Sequence, residues 1–174
     1  MDRPRPAQAG PRCRLETILE TENWPMMRTA VALGTLLLGV SAVMAQQAQD
    51  QVAKTQLAMK SNLASAIALS DMAKGKKPYD QAAVDKALAD LEDVAKRFPS
   101  LFPDSIKGLK PGGEYYASPK VWTERADFEA HAATFVKAIG EAKTKFKSPD
   151  ALKAEYPALN AVCLGCHEKF RVKG

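Results

Sequence analysis

Residues 50 to 171 carry four apolar stripes at helical spacing, each closed by proline or glycine, and that pattern leaves little choice of fold. In the first, from about Asp50 to Lys74, the residues Val52, Met59, Leu63, Ala66 and Ile67 share one face. Gly75, the basic run to Lys77 and Pro78 end it. The second runs from about Gln81 to Phe98, with Asp80 as N-cap and Val84, Leu88, Leu91, Ala95 and Phe98 as its stripe. Pro99 and Pro103 are expected to stop it. Residues 99 to 122, which also hold Pro111, Gly112, Gly113 and Pro119, read as an irregular connection across one end of a bundle. The third helix is expected from about Glu124 to Lys147, with Thr123 as N-cap and Phe128, Ala132, Phe135, Ile139, Ala142 and Phe146 inward. The fourth begins at Ser148-Pro149, a cap followed by proline in the first turn, and reaches about Arg171. Leu152, Tyr156, Leu159, Val162 and Phe170 face inward, and Pro157 is expected to kink the helix or divide it. No stripe encircles its helix, so each must be buried against the others. The expected class is all-α, an antiparallel four-helix bundle. The scarcity of β-branched residues among many Ala, Leu, Lys and Glu agrees.

The first 45 residues differ in kind. Arg28, the apolar run from Ala30 to Val40 and the tripeptide Val43-Met44-Ala45 have the layout of a secretory signal over residues 27 to 45, cleaved near Ala45 to leave Gln46. The apolar run is shorter than the ~20 residues a spanning helix needs, so no membrane association is expected after cleavage. Residues 1 to 26 fit no signal: they hold Pro4, Pro6, Pro11, Cys13 and the acidic residues Glu16, Glu20 and Glu22. Met26 and Met27 stand just before Arg28. Translation is expected to start at one of them, which leaves the upstream stretch as a mis-assigned or disordered extension and Cys13 functionally silent.

The chemistry lies near the other end, in Cys163-Leu164-Gly165-Cys166-His167. Two thiols three apart on a helical turn can each add to one haem vinyl group, and the next imidazole is then held under the iron. One covalent c-type haem on Cys163 and Cys166, with His167 as axial ligand, is the reading. It agrees with export, because such attachment takes place outside the cytoplasmic membrane. A thioredoxin-like pair would need a βαβ context that the pattern does not offer. A zinc site would need a fourth ligand, and the remaining histidine of residues 46 to 174 is His131, distant in sequence.

The second axial position is less determined. Met59 lies on the first stripe, where methionine is ordinarily core filler. Cofactor sites in bundles are nevertheless built from side chains on facing helices, and a thioether ligand would make the iron low-spin and raise its potential. Met72 is nearer the helix end, and His131 reads as a solvated surface residue. Spacing alone leaves both roles of Met59 open.

Several features together resemble the class II cytochromes c, the cytochrome c′ family, over residues 50 to 174. The C-x-x-C-H motif sits at the extreme C-terminus, followed by Phe170-Arg171. Lys74-Gly75-Lys76-Lys77-Pro78-Tyr79-Asp80 looks like the family's first interhelix turn, and Trp122, Phe128 and Phe135 repeat its aromatic spacing. The resemblance implies an up-down-up-down bundle. Counted back from the Lys74-Gly75 turn, Met59 falls where one branch of the family has a methionine ligand and low-spin iron. In the other branch an apolar residue stands there, the iron is five-coordinate, and nitric oxide or carbon monoxide can bind. His167 and Met59 are thus implied as the axial pair, with Gln56 and Arg171 as haem-pocket residues. Many relatives have arginine just before that glutamine; here it is Thr55, and either Lys54 substitutes toward a propionate or the propionate is left to solvent.

The expectation is a periplasmic electron-transfer protein, not an enzyme, that serves redox partner proteins. The alternatives are a gas-binding relative with an open distal site, sometimes homodimeric through the first two helices, and an exported structural bundle without haem. The net charge of +5 over the whole chain, with no dense Lys/Arg block, speaks against nucleic acid.

Overall fold

The computed structural model describes the backbone from Trp24 onward and side chains from Val43 onward. The expectations for Cys13 and most of the 1–26 extension lie outside the described residues, as do the side chains of the signal segment before Val43. In chain order the elements are α1 (Trp24–Ala73), α2 (Gln81–Leu101), a single 3-10 turn (Asp104–Ile106), β1 (Tyr115–Ala117), α3 (Lys120–Thr123), α4 (Arg125–Lys145), α5 (Pro149–Phe170) and β2 (Arg171–Lys173). Ala42–Gly174 forms one compact unit. Within it α1, α2, α4 and α5 make the antiparallel four-helix bundle, with α3 and the two short strands as additions at one end. The all-α expectation holds.

Two of the expected caps are present. The Asp80 carboxylate accepts from the amides of Ala82 and Ala83 at 2.8 and 3.2 Å, and Ser148 Oγ accepts from Ala151 at 3.2 Å. The α1–α2 turn closes on Gly75, whose φ of 70° is the left-handed conformation a helix end of this type requires.

Three boundaries differ from expectation. Pro99 does not stop α2, which runs on to Leu101. Its last carbonyls are taken by side chains from other helices. Arg125 donates to Pro99 and Phe102 at 2.6 and 2.9 Å, and Thr55 Oγ1 donates to Leu101 at 2.6 Å. Tertiary capping offsets the amide that proline lacks. Thr123 is not the cap of the third long helix but the last residue of α3; the break falls at Glu124, whose φ and ψ of −119° and 47° are not helical. Pro157 does not divide α5, which is continuous from Pro149 to Phe170.

The stripes of α2 and α4 are buried as expected, with Leu88, Ile139 and Phe146 almost fully enclosed. Along α5, Leu152, Leu159 and Phe170 are buried, while Tyr156 and Val162 are half-buried against the same core. Aromatic rings knit the end of the bundle: Phe128 meets Phe102 and Phe170 edge-on at 5.2 and 5.3 Å. The stripe expected to be the buried side of α1 is only partly so. Val52 is buried, but Leu63 and Ile67 are 60% and 50% exposed. The face that α1 packs inward runs through Val52, Thr55, Ala58, Ser65, Leu69 and Met72. Helix α1 therefore carries two adjoining stripes, one packed and one half-open, and the apolar periodicity picks out mainly the second.

After α5 the chain does not fray. β2 pairs antiparallel with β1 in the register Tyr115↔Lys173, Tyr116↔Val172 and Ala117↔Arg171. Ser118 and Gly174 extend the ladder through bonds to Phe170 and Glu114 at 2.9 and 2.8 Å. Nothing in the sequence pattern announces this ribbon, because three-residue strands carry too little alternation to read.

Arg125 ties α4 to the end of α2 through two charge-assisted bonds to carbonyls. Replacing it with alanine should lower stability by about 2 kcal/mol, seen as a lower urea midpoint at unchanged slope.

Candidate functional site

The motif Cys163 to His167 lies in the last two turns of α5, and each of its three chemical groups is half-buried. Cys163 and Cys166 are not joined in a disulfide and pack against the bundle core. Burial pushes the Cys163 thiol up to about 11, with Cys166 beside it adding to the effect. Cys166 is raised as well, by burial and then by the Asp127 carboxylate. A reactive redox pair needs at least one thiol shifted down, so the environment opposes disulfide-exchange chemistry. His167 is shifted down by burial and by the neighbouring Arg171, which favours the neutral imidazole that can bind a metal. Among the described residues no three His, Cys, Asp or Glu side chains converge as ligands for a bare metal ion. The donor set is two thiols and one imidazole on a single helical surface.

A single hydrogen bond sets what faces this surface. Tyr156 Oη on α5 donates to the carbonyl of Ala66 on α1 at 2.9 Å. The two helices are antiparallel, so seven residues forward from Tyr156 and seven back from Ala66 travel the same two turns, about 10 Å. Met59 therefore stands level with Cys163, Gln56 with Cys166 and Thr55 with His167, to within about a turn. Met59 is half-buried against the same core as the cysteines. Leu63, Ala66 and Ile67 continue from it along the half-open stripe. Asn62, one turn beyond Met59, has a buried Oδ1 with no partner in the protein. A flat apolar group with polar edges suits this arrangement. The residues thus fit a haem attached through the motif and facing α1.

Other expectations need correction. Thr55 is buried and its hydroxyl serves the end of α2, while Lys54 lines a groove between α1 and α2 that also holds Asp90, Asp93 and Arg97. Lys54 is thus placed toward α2, and the structure does not show it standing in for the absent arginine. His131 is not simply solvated. It is half-buried, with Nδ1 2.9 Å from the Asp127 carbonyl and its ring edge-on to Phe170 at 5.2 Å. Met72 belongs to the buried core. Arg171 has left the helix for β2, and its guanidinium lies 4.3 Å over the Tyr115 ring. Sequence reasoning marked Tyr156 only as inward-facing; its spacing of seven before Cys163 was the available sign of a register tie.

Comparison with known proteins agrees with this geometry. The sequence profile described as Cytochrome C′ matches residues 50–171. The chain belongs to the cytochrome c′ family. Cytochrome c-556 of Rhodopseudomonas palustris is 52% identical over 149 residues, which is 85% of this chain and 99% of that protein. Cytochrome c′ of the same organism is 34% identical over 147 residues, covering 84% of this chain and 97% of that one. The structure of oxidised R. palustris cytochrome c556 superposes with a TM-score of 0.65 at 51% identity, over 72% of this chain and 98% of that chain. Like the family, the chain is a covalent haem c protein on a four-helix bundle. Among the described residues no helix is long and apolar enough to cross a membrane.

Tyr156→Phe removes the bond that ties α5 to α1 without altering packing volume. It should cost about 1 kcal/mol of stability, measured by thermal unfolding of the holoprotein. Hydrogen exchange at the α1 amides around Met59 should rise.

Proposed function

We propose that this cytochrome c′-family protein is a periplasmic one-electron carrier in which Cys163 and Cys166 would attach the haem and His167 and Met59 would hold its iron. The observation that supports the reading is the Tyr156–Ala66 bond, from which the register of α1 and α5 brings Met59 to the level of the attachment motif to within about a turn. When bound, the haem iron supplies one-electron exchange between ferric and ferrous states. The protein's part is to hold and shield. The two thiols would anchor the group in thioether linkage, and His167, whose protonation burial disfavours, would present a ring nitrogen. Met59 presents sulfur from the facing helix. Leu63 and Ile67 on the half-open stripe of α1 offer apolar cover that excludes water. A thioether ligand and a water-poor pocket both favour the reduced state. Gln56, level with Cys166, offers a polar edge to the pocket.

Support also comes from relatives. The cytochrome c-556 named above is more alike in sequence than the cytochrome c′ of the same organism, 52% against 34%. No substrate chemistry is assigned to the site. We further propose that residues 27 to 45 are a signal removed near Ala45, so that the mature chain begins at Gln46.

The second reading, a gas-binding protein with an open distal position, differs at Met59 alone. Absorption spectra separate the two. The ferric protein should show low-spin bands with a sulfur-to-iron charge-transfer feature, and the ferrous protein should ignore carbon monoxide. Met59→Leu should convert both forms to high-spin and admit carbon monoxide. A wild-type protein that is already high-spin and binds carbon monoxide would overturn the proposal. Intact mass of the periplasmic product should equal the chain from Gln46 plus one haem; a mass retaining residues before Gln46 would refute the cleavage site.

A further inference from the structure

Beside the attachment motif stand four ionisable side chains that the electron-transfer reading leaves unused. Glu124, at the start of α4, and Asp127 and His131 within it are met by Lys169 from the last turn of α5. The Lys169 ammonium lies 2.6 Å from Glu124 and 2.7 Å from Asp127 Oδ2. Among the described residues no second lysine or arginine pairs with either carboxylate. Two carboxylates thus share one fixed cation, which leaves one negative charge over. Lys169, against the opposing effect of burial, holds the Asp127 carboxyl below the usual carboxylate range, so this charge is present at neutral pH.

His131 faces that charge. Its Nδ1 lies 2.9 Å from the Asp127 carbonyl oxygen and 3.5 Å from Asp127 Oδ1. A carbonyl only accepts, so Nδ1 carries the hydrogen, and Nε2 is the nitrogen left to take a proton. The side chain is 34% exposed, which lets solvent supply that proton. The other charged groups of the neighbouring elements are engaged elsewhere or exposed. Arg125 pairs with Glu129, Arg171 on β2 lies over Tyr115, and Lys120 on α3 and Glu168 on α5 are exposed. Helix α2 meets this part of α4 through Phe98, whose ring stacks on Phe135.

The cluster is electrically linked to the haem site. After burial, the Asp127 carboxylate is what pushes the Cys166 thiol up. The His131 ring also rests edge-on against Phe170, three residues after His167. A charge in the cluster is felt at the haem anchor, and by reciprocity a charge that arrives at the haem is felt in the cluster.

We propose that His131 is a redox-linked proton site, which makes the protein a carrier of a proton together with its electron. The inference rests on the electron-transfer reading and adds a second cargo to it. One electron enters from a one-electron donor, and His131 Nε2 takes one proton from water. Oxidation returns both. The added electron makes the surroundings of the imidazole more negative, and the charge left over on the carboxylates holds the imidazolium in place. The ferrous protein therefore keeps the proton better than the ferric protein, and acid favours reduction.

The test mixes ferric holoprotein with hexaammineruthenium(II), which gives one electron and releases no proton, in weak buffer with a pH indicator. Near about pH 6.5 the wild type should take up roughly 0.3 to 0.5 proton per electron. His131→Gln should take up less than about 0.1, and Asp127→Asn less than about half of the wild-type value. Against a mediator whose potential does not vary with pH, the wild-type ferrous-to-ferric ratio should be about three- to tenfold higher at pH 5 than at pH 8, or about 30 to 60 mV. In His131→Gln the ratio should be nearly level. Uptake by His131→Gln equal to that of the wild type would place the proton elsewhere, the haem carboxylates included, and would overturn the proposal. If that variant does not mature, the wild type decides alone. At one pH near neutrality the chemical shift of the His131 ring proton should report more protonated ring in the ferrous than in the ferric protein; equal fractions would sink the idea. Spectra keep the two readings apart. A high-spin wild type that still takes up the proton refutes Met59 ligation and leaves the proton site, whereas a low-spin wild type without uptake refutes only the proton site.

Discussion

The bond from Tyr156 to the backbone of Ala66 is the contact on which the functional reading depends. It crosses between α1 and α5 near the C-terminal end of the half-open stripe of α1. Two antiparallel helices tied at one level are registered along their whole length, because both rise by the same amount per residue. Met59 and Cys163 come within about a turn of one height for that reason, although 104 positions separate them in the chain. A slip of one full turn would present Gln56 or Leu63 in place of the thioether.

The rest of the bundle makes that register affordable. Phe98, Phe128, Phe135, Phe146 and Phe170 fill the space among α2, α4 and α5, so the core does not need the whole apolar surface of α1. Helix α1 is anchored instead by small and polar groups: Ala58, Ser65, and the Thr55 hydroxyl bound to the end of α2. Its larger apolar residues remain on the neighbouring face. In a bundle without a cofactor, exposed Leu63 and Ile67 beside a buried serine would be a poor use of side chains. On a helix that faces a flat apolar group, the same distribution is economical.

The ribbon has a comparable double character. It ends α5 three residues after His167 by converting the chain from helix to strand. The ladder bonds then hold the tail that a free C-terminus would let fray. The same strands carry Arg171 and Lys173 on the face that holds Tyr115.

Much of this was legible in the chain itself. The four helices, the caps at Asp80 and Ser148, and the aromatic stripe of α4 follow from local spacing and from side chains that bond their own backbone. The C-x-x-C-H motif declares its chemistry because all of its groups lie within one turn and need no distant partner to be placed. What the pattern misassigned depends on contacts between helices. Pro99 sits inside α2 because Arg125 and Thr55 cap the carbonyls beyond it, and Leu63 and Ile67 stay half-open because the inward face of α1 is chosen by what α2 presents. The position of Met59, the company of Thr55 and the β-ribbon belong to tertiary structure alone. Each is fixed by a bond or a ladder between residues too far apart in sequence for any local periodicity to encode.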